Sequence, residues 1–167
     1  MNQIFAGRYT AHTDEPFVVF LVGMRINQFT AVRQWLPVVR AMLPMLETLY
    51  RHPEKGFLGG EPILYWRGIG LIQYWRSLDD LHHFATNPAD PHLPAWKAFN
   101  QATGNNGVVG IWHETYQVHA GEYTCIYGNM PAFGLANATE HVTAHGAHAR
   151  KRRQAAPPQP VAVPSDV

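Results

Sequence analysis

Cysteine is almost missing from this sequence of 167 residues. Cys125 stands alone, so no intrachain disulfide and no cysteine-based zinc site can form. Charge is scarce too. Asp, Glu, Lys and Arg make up 15% of the chain, against about 25% in an ordinary globular domain. A chain this poor in charge is expected to hide apolar surface against a partner. The net charge of +1 leaves no electrostatic footprint for nucleic acid, and the one basic cluster, Arg150-Lys151-Arg152-Arg153, falls in a tail. Long apolar runs are lacking as well. The longest, Phe17 to Met24, is far short of the roughly 20 residues needed to cross a bilayer. The first residues carry neither the basic start nor the apolar core of a signal peptide. These absences predict a cytoplasmic protein with no nucleic-acid or membrane partner.

What is present is a hydrophobic fraction of 46%, enough for a core. Residues 1–16 read as a polar leader, 17–138 as one domain, and 139–167 as an unstructured His/Arg/Pro-rich tail. Phe17 to Arg25 is β-branched, aromatic and apolar on both faces, the pattern of a central strand. From about Thr30 to Arg51, apolar residues recur every three or four positions, predicting a helix with a kink or break near Pro37 or Pro44. Phe57 to Trp66 and Ile69 to Arg76 read as two strands, and Ser77 as the N-cap of a helix ending near Ala85. Leu93 to Ala102 is a further helix, Val108 to His119 the last long strand, and Tyr123 to Tyr127 a short addition. The order is βαββαβ, a ferredoxin-like α+β fold with helices on one face of the sheet. A second copy pressed on the other face would make a dimeric α+β barrel, so a homodimer is expected.

Several segments carry a resemblance. They are Gly23-Met24-Arg25-Ile26-Asn27, Arg33-Gln34-Trp35-Leu36-Pro37, Gln73 to Leu81, His92-Leu93-Pro94-Ala95-Trp96, Gly110 to Tyr116 and Tyr127-Gly128-Asn129-Met130-Pro131. Over about residues 8 to 140 the chain resembles the DUF4188 family, monooxygenases similar to the one in fumagillin biosynthesis. That family looks like a branch of the dimeric α+β barrels, which include antibiotic-biosynthesis monooxygenases and haem-using enzymes. The resemblance implies oxygen or haem chemistry.

The last long strand holds the first candidates. Alternation puts Val109, Ile111, His113, Thr115, Gln117 and His119 on one face, and Trp112, Glu114, Tyr116 and Val118 on the other. His113 is a candidate acid/base because its ordinary pKa lies near neutrality; otherwise it is a histidine bonded at a dimer seam. Glu114 and Tyr116 form an alternative catalytic pair with Arg25, or Arg76, supplying charge, or a structural pairing. Met24, Trp75, Trp96 and Trp112 are candidate substrate contacts, although aromatic residues more often simply build core. By the resemblance, the haem ligand of related enzymes falls near Trp96 rather than on a histidine; His83 and His92, one turn and one loop away, are the candidate ligands if haem is bound. His141, His145 and His148 would cluster on a helix, but their Gly/Ala surroundings argue against a metal site.

Three readings follow. The first is an oxygenase that needs no cofactor and acts with molecular oxygen on an apolar polyketide-, terpenoid- or aromatic-like molecule. The second is a haem b protein or haem-dependent oxygenase or dehydratase. The third is a dimer that binds a hydrophobic ligand without turnover.

Overall fold

The computed structural model describes residues 3–104 and 106–144. In chain order the elements are β1 (Phe5–His12), β2 (Phe17–Ile26), α1 (Val32–Arg51), β3 (Phe57–Tyr65), β4 (Gly68–Trp75), α2 (Leu78–Thr86) and α3 (His92–Thr103). They continue with β5 (Val109–Val118), β6 (Tyr127–Met130), α4 (Leu135–Ala138) and β7 (Glu140–Thr143). Four strands form one antiparallel sheet in the order β3-β4-β2-β5, which is the ferredoxin-like split βαβ arrangement. The most apolar strand, β2, lies at its centre. It pairs with β4 on one side, Val18 opposite Trp75 through Arg25 opposite Gly68. On the other side it pairs with β5, Phe17 opposite Val118 through Ile26 opposite Val109.

The helices cover one face of this sheet, and the core divides between its two ends. Val18, Leu49, Phe57, Trp75, Leu81 and Phe84 pack at one end, and Met24, Ile26, Val108 and Val109 at the other. Trp75 is fully buried, with edge-on contact to Phe57 at 5.5 Å and a tilted contact to Phe84 at 5.6 Å. Side chains of this size contribute on the order of 1.5–3 kcal/mol each on burial.

Two differences from the sequence reading concern the ends of the domain. The polar leader contains β1, and the start of the tail contains β7; with β6 they form a second, three-stranded sheet, β6-β1-β7. Gly7 and a register irregularity between Phe5 and Arg8 interrupt the alternation that would have marked β1 as a strand. This sheet, with Leu135 and Ala136 of α4, packs on Phe17, Val19, Tyr74 and Val118 of the main sheet. The predicted short strand also moves, to Tyr127–Met130. His141 lies in β7, stacked on Tyr9 at 4.6 Å, so it does not begin a helix; His145, His148 and the rest of the tail lie outside the described residues.

The third difference is α1, which runs unbroken for 20 residues with Pro37 and Pro44 inside it. Each proline removes a hydrogen bond to the carbonyl four residues earlier. Those carbonyls belong to Arg33 and Arg40, both exposed, where water can satisfy them. The apolar stripe of Trp35, Val38, Val39, Met42, Leu46 and Leu49 packs against the cores and holds the helix together.

Candidate active site

Alternation along the strands sorts the main sheet into two faces. On the helix side, the paired rows are Gln73–Phe20–Thr115, Leu71–Val22–His113 and Ile69–Met24–Ile111. Between these rows and the helices lies a cavity of about 630 Å³, within the usual range for small-molecule sites. Its floor is Phe20, Val22, Met24, Leu71, Gln73, Trp75, Ile111, His113 and Thr115. The roof comes from α1 (Pro37, Val38, Met42 and Met45 among others), α2 (Leu81, His82, Phe84) and α3 (His92, Leu93, Trp96, Phe99). Trp96 and Phe99 stack at 5.7 Å, 25° from parallel. Pro37, His82, Thr86 and Trp96 on the helices, and His113 and Thr115 on β5, also reach solvent, so the cavity opens between β5 and the helical layer.

The roof is pinned at the entry to α2. The Ser77 hydroxyl accepts the Asp80 backbone N–H at 3.1 Å, the N-cap expected from the sequence. Arg76 donates to both Asp80 carboxylate oxygens at 2.8 and 2.9 Å, and this pairing holds the Asp80 carboxyl below its ordinary pKa. Before α3, the buried Asp90 carboxylate meets Lys55 at 2.8 Å.

Of the residues singled out from the sequence, Met24, Trp75, Trp96, His92 and His113 line the cavity. His113 touches the Phe20 ring at 5.7 Å and makes no hydrogen bond to the described residues. Its neighbours go elsewhere. Glu114 and Tyr116 lie on the opposite face, where the phenol donates to the carboxylate at 2.6 Å. That bond and the Glu114 charge raise the Tyr116 pKa. Arg25 shares this far face but not the pair: register places it opposite Gly110 and Gly68, whereas Glu114 lies opposite Leu21. Its guanidinium bonds Asn27 and stacks on Trp66 at 4.1 Å.

Trp112 is on the far face too. Its indole donates to the Tyr65 hydroxyl, and both groups lie down over Gly23, where a Cβ would come within 2.9 Å of each. Glycine is required there because two rings cross the central strand. A substrate inside the cavity cannot touch Trp112.

On α2, the buried positions are Leu81 and Phe84. His82 and His83 are both exposed and flank that buried stripe on either side, and only His82 is among the lining residues. His92 is fixed by a 3.0 Å contact between Nδ1 and the Ala85 carbonyl, which assigns the proton to Nδ1. Its lining position would suit an axial haem ligand. The rest of the lining does not suit haem, because it contains no arginine or lysine to pair two propionates. The lining contains no Asp, Glu, Lys or Arg.

Sequence reasoning missed Gln73. It is buried, at 7% exposure, and lines the cavity. The Trp75 indole N–H donates to its Oε1 at 2.9 Å. The available signal was a lone polar residue in the inward stripe Ile69, Leu71, Gln73, Trp75 of a central strand.

Comparison with known proteins bears on this architecture. Residues 17–135, which span the whole main sheet and its helices, match the model of the family described as monooxygenase af470-like. Monooxygenase af470 of Aspergillus fumigatus is 30% identical over 153 residues, covering 77% of this chain. The chain spans about half of that relative's length, 53%. Among solved structures, an aldoxime dehydratase superposes with a TM-score of 0.62 at 17% identity, over 86% of this chain and 45% of that one. SnoaB, a cofactor-independent oxygenase from Streptomyces nogalater, matches with a TM-score of 0.42 at 14% identity, over 60% of this chain and 90% of its own. Since the matched stretch takes in every strand and helix that encloses the cavity, the chain belongs to the monooxygenase af470-like family.

Proposed function

We propose that this chain is a small oxygenase, or the oxygenase part of a longer protein, acting on a neutral apolar molecule held in the cavity between sheet and helices. The observation that carries this reading is the position of His113. It is a titratable group with no hydrogen bond to the described residues, on the floor of an apolar, charge-free cavity in a monooxygenase family member. An imidazole placed there can accept a proton from a guest in the cavity.

The chemistry is that of an electron-rich substrate that reduces oxygen itself. His113 takes a proton from an activated C–H, and the electron pair left behind is delocalised through the substrate. Molecular oxygen accepts those electrons, one oxygen atom bonding to carbon. When the product is a ketone formed from a CH2 group, the second oxygen atom leaves as water with both hydrogens, so carbon supplies all four electrons. His113 itself reaches solvent at the cavity mouth, while the apolar floor and roof exclude water from the rest of the guest.

We also infer that a second copy covers the open part of the far face. Leu21, Ile63, Ile72 and Trp112 are only half-buried there, and Tyr116 is 51% exposed. The Nε of Arg25 is buried with no hydrogen-bond partner.

The test is oxygen uptake by metal-free protein on a panel of hydroquinones, anthrones and polyenes. Uptake matched to ketone or quinone formation is expected. Binding without uptake across the panel would refute the oxygenase and leave a ligand-binding protein.

A further inference from the structure

Resting on that reading of the cavity, we propose that Gln73, locked by Trp75, selects the substrate by donating an N–H to a ketone or phenolate oxygen on a flat, fused-ring guest. An indole N–H can only donate. The 2.9 Å bond from Trp75 therefore fixes which end of the Gln73 amide is oxygen, and turns the NH2 group away from the indole. That NH2 makes no hydrogen bond to the described residues, although the side chain is buried and borders the cavity. Unlike the Nε of Arg25, this nitrogen is not sealed off, so it stays open to the space that a guest would fill. An acceptor on a guest in the cavity can reach it.

The position sets the shape of the guest. Gln73 is on β4 and His113 on β5, with Phe20 and Val22 of β2 between them. Two strand spacings and a two-residue offset along the strands separate their backbones by about 12 Å. A guest that reaches both lies across Phe20 and Val22, in a cavity whose roof includes the stacked Trp96–Phe99 pair. No charged side chain among the lining residues pairs with a permanently ionised guest. An electron-rich fused-ring ketone or phenol meets all of these conditions. When its activated C–H gives a proton to His113, the electron pair moves onto the oxygen that Gln73 holds, and the amide bond strengthens as that charge develops.

The experiment is anaerobic binding, read by tryptophan fluorescence, of anthrone and of 9,10-dihydroanthracene, which has CH2 in place of the carbonyl. In the native chain anthrone should bind about tenfold more tightly, the worth of one buried hydrogen bond. Gln73→Leu should bind the two compounds equally while keeping its affinity for the hydrocarbon. Trp75→Phe, which keeps a ring but unlocks the amide, should lose part of the preference and serves if Gln73→Leu does not fold. Equal affinities in the native chain, binding of neither compound, or a preference that survives both substitutions would overturn the proposal. The measurement needs no turnover. A Gln73-dependent preference without oxygen uptake would sink the oxygenase reading alone, and uptake with no such preference would sink this inference alone.

Discussion

The two faces of the β3-β4-β2-β5 sheet are built from the same strands and are both rich in aromatic residues, yet they treat polar atoms in opposite ways. On the far face most polar groups satisfy one another, Tyr116 with Glu114, Trp112 with Tyr65 and Arg25 with Asn27, and the Nε of Arg25 alone is left buried without a partner among the described residues of this face. On the helix face the inward polar groups, the Gln73 amide nitrogen and the His113 ring, have no such partners among the described residues and border open space. Paired polar groups specify structure, and unpaired ones beside a cavity leave a place for a ligand. The strongest way to break this comparison is to exchange the roles of the faces by mutation. His113→Gln should lower the oxygen-uptake rate by about 100-fold or more, the usual contribution of a general base. Glu114→Gln and Tyr116→Phe should stay within about twofold, since neither side chain reaches the cavity. Loss of activity in the far-face variants, with His113→Gln spared, would reverse the assignment.

The next effect is on stability. Trp75 joins the helix-side core to the cavity wall and is completely buried. Trp75→Ala should destabilise the chain by about 3–5 kcal/mol, as large-to-small changes in cores do, measured by urea unfolding. Tyr116→Ala removes a half-exposed ring and should cost far less, within the range of about 1 kcal/mol typical of surface changes. A similar cost for both would show that the far face is as tightly packed as the cavity wall.

A third test concerns what covers the far face. Ile72 is half-buried beside Leu21 at its centre. Ile72→Lys should convert a dimer to a monomer in sedimentation velocity, with anthrone binding unchanged. A native chain that sediments as a monomer at high concentration would remove the second copy from the account.

Much of this arrangement was legible in the sequence because alternation is a strict rule. Period two separated His113 from Glu114 and Tyr116 before any coordinates, and the apolar run of β2 marked it as central. The sequence could not show which face carried the cavity, since that depends on where α1, α2 and α3 settle. Trp112 illustrates the gap: its composition suggests a pocket wall, and only the neighbouring strand shows it folded over Gly23. Strands β1 and β7 escaped notice for another reason. β7 has only four residues, and both gain order from pairing with each other across 130 residues of chain, Ala11 opposite His141, rather than from a local pattern. Gln73 was visible as a letter but not as a donor, because its meaning comes from the indole that fixes its orientation.

The smallest effect is the most direct probe of the far face. The Tyr116 pKa is raised first by its hydrogen bond to Glu114 and then by the charge of that carboxylate. Losing the phenolic proton breaks the bond and sets two negative charges side by side. A folded-state pKa raised in this way gives stability that is complete below the unfolded tyrosine value near 10 and lost as pH rises through the folded value. Glu114→Gln keeps an acceptor oxygen but removes the charge, so the Tyr116 pKa should fall back toward its ordinary value, followed by carbon NMR of the ring. A second copy seated on this face would add desolvation, which disfavours the phenolate further. The Tyr116 pKa should then climb with protein concentration in the native chain and not in Ile72→Lys. A value indifferent to both concentration and Glu114 would mean that the pair is not formed in solution and that the far face is not a self-satisfied surface.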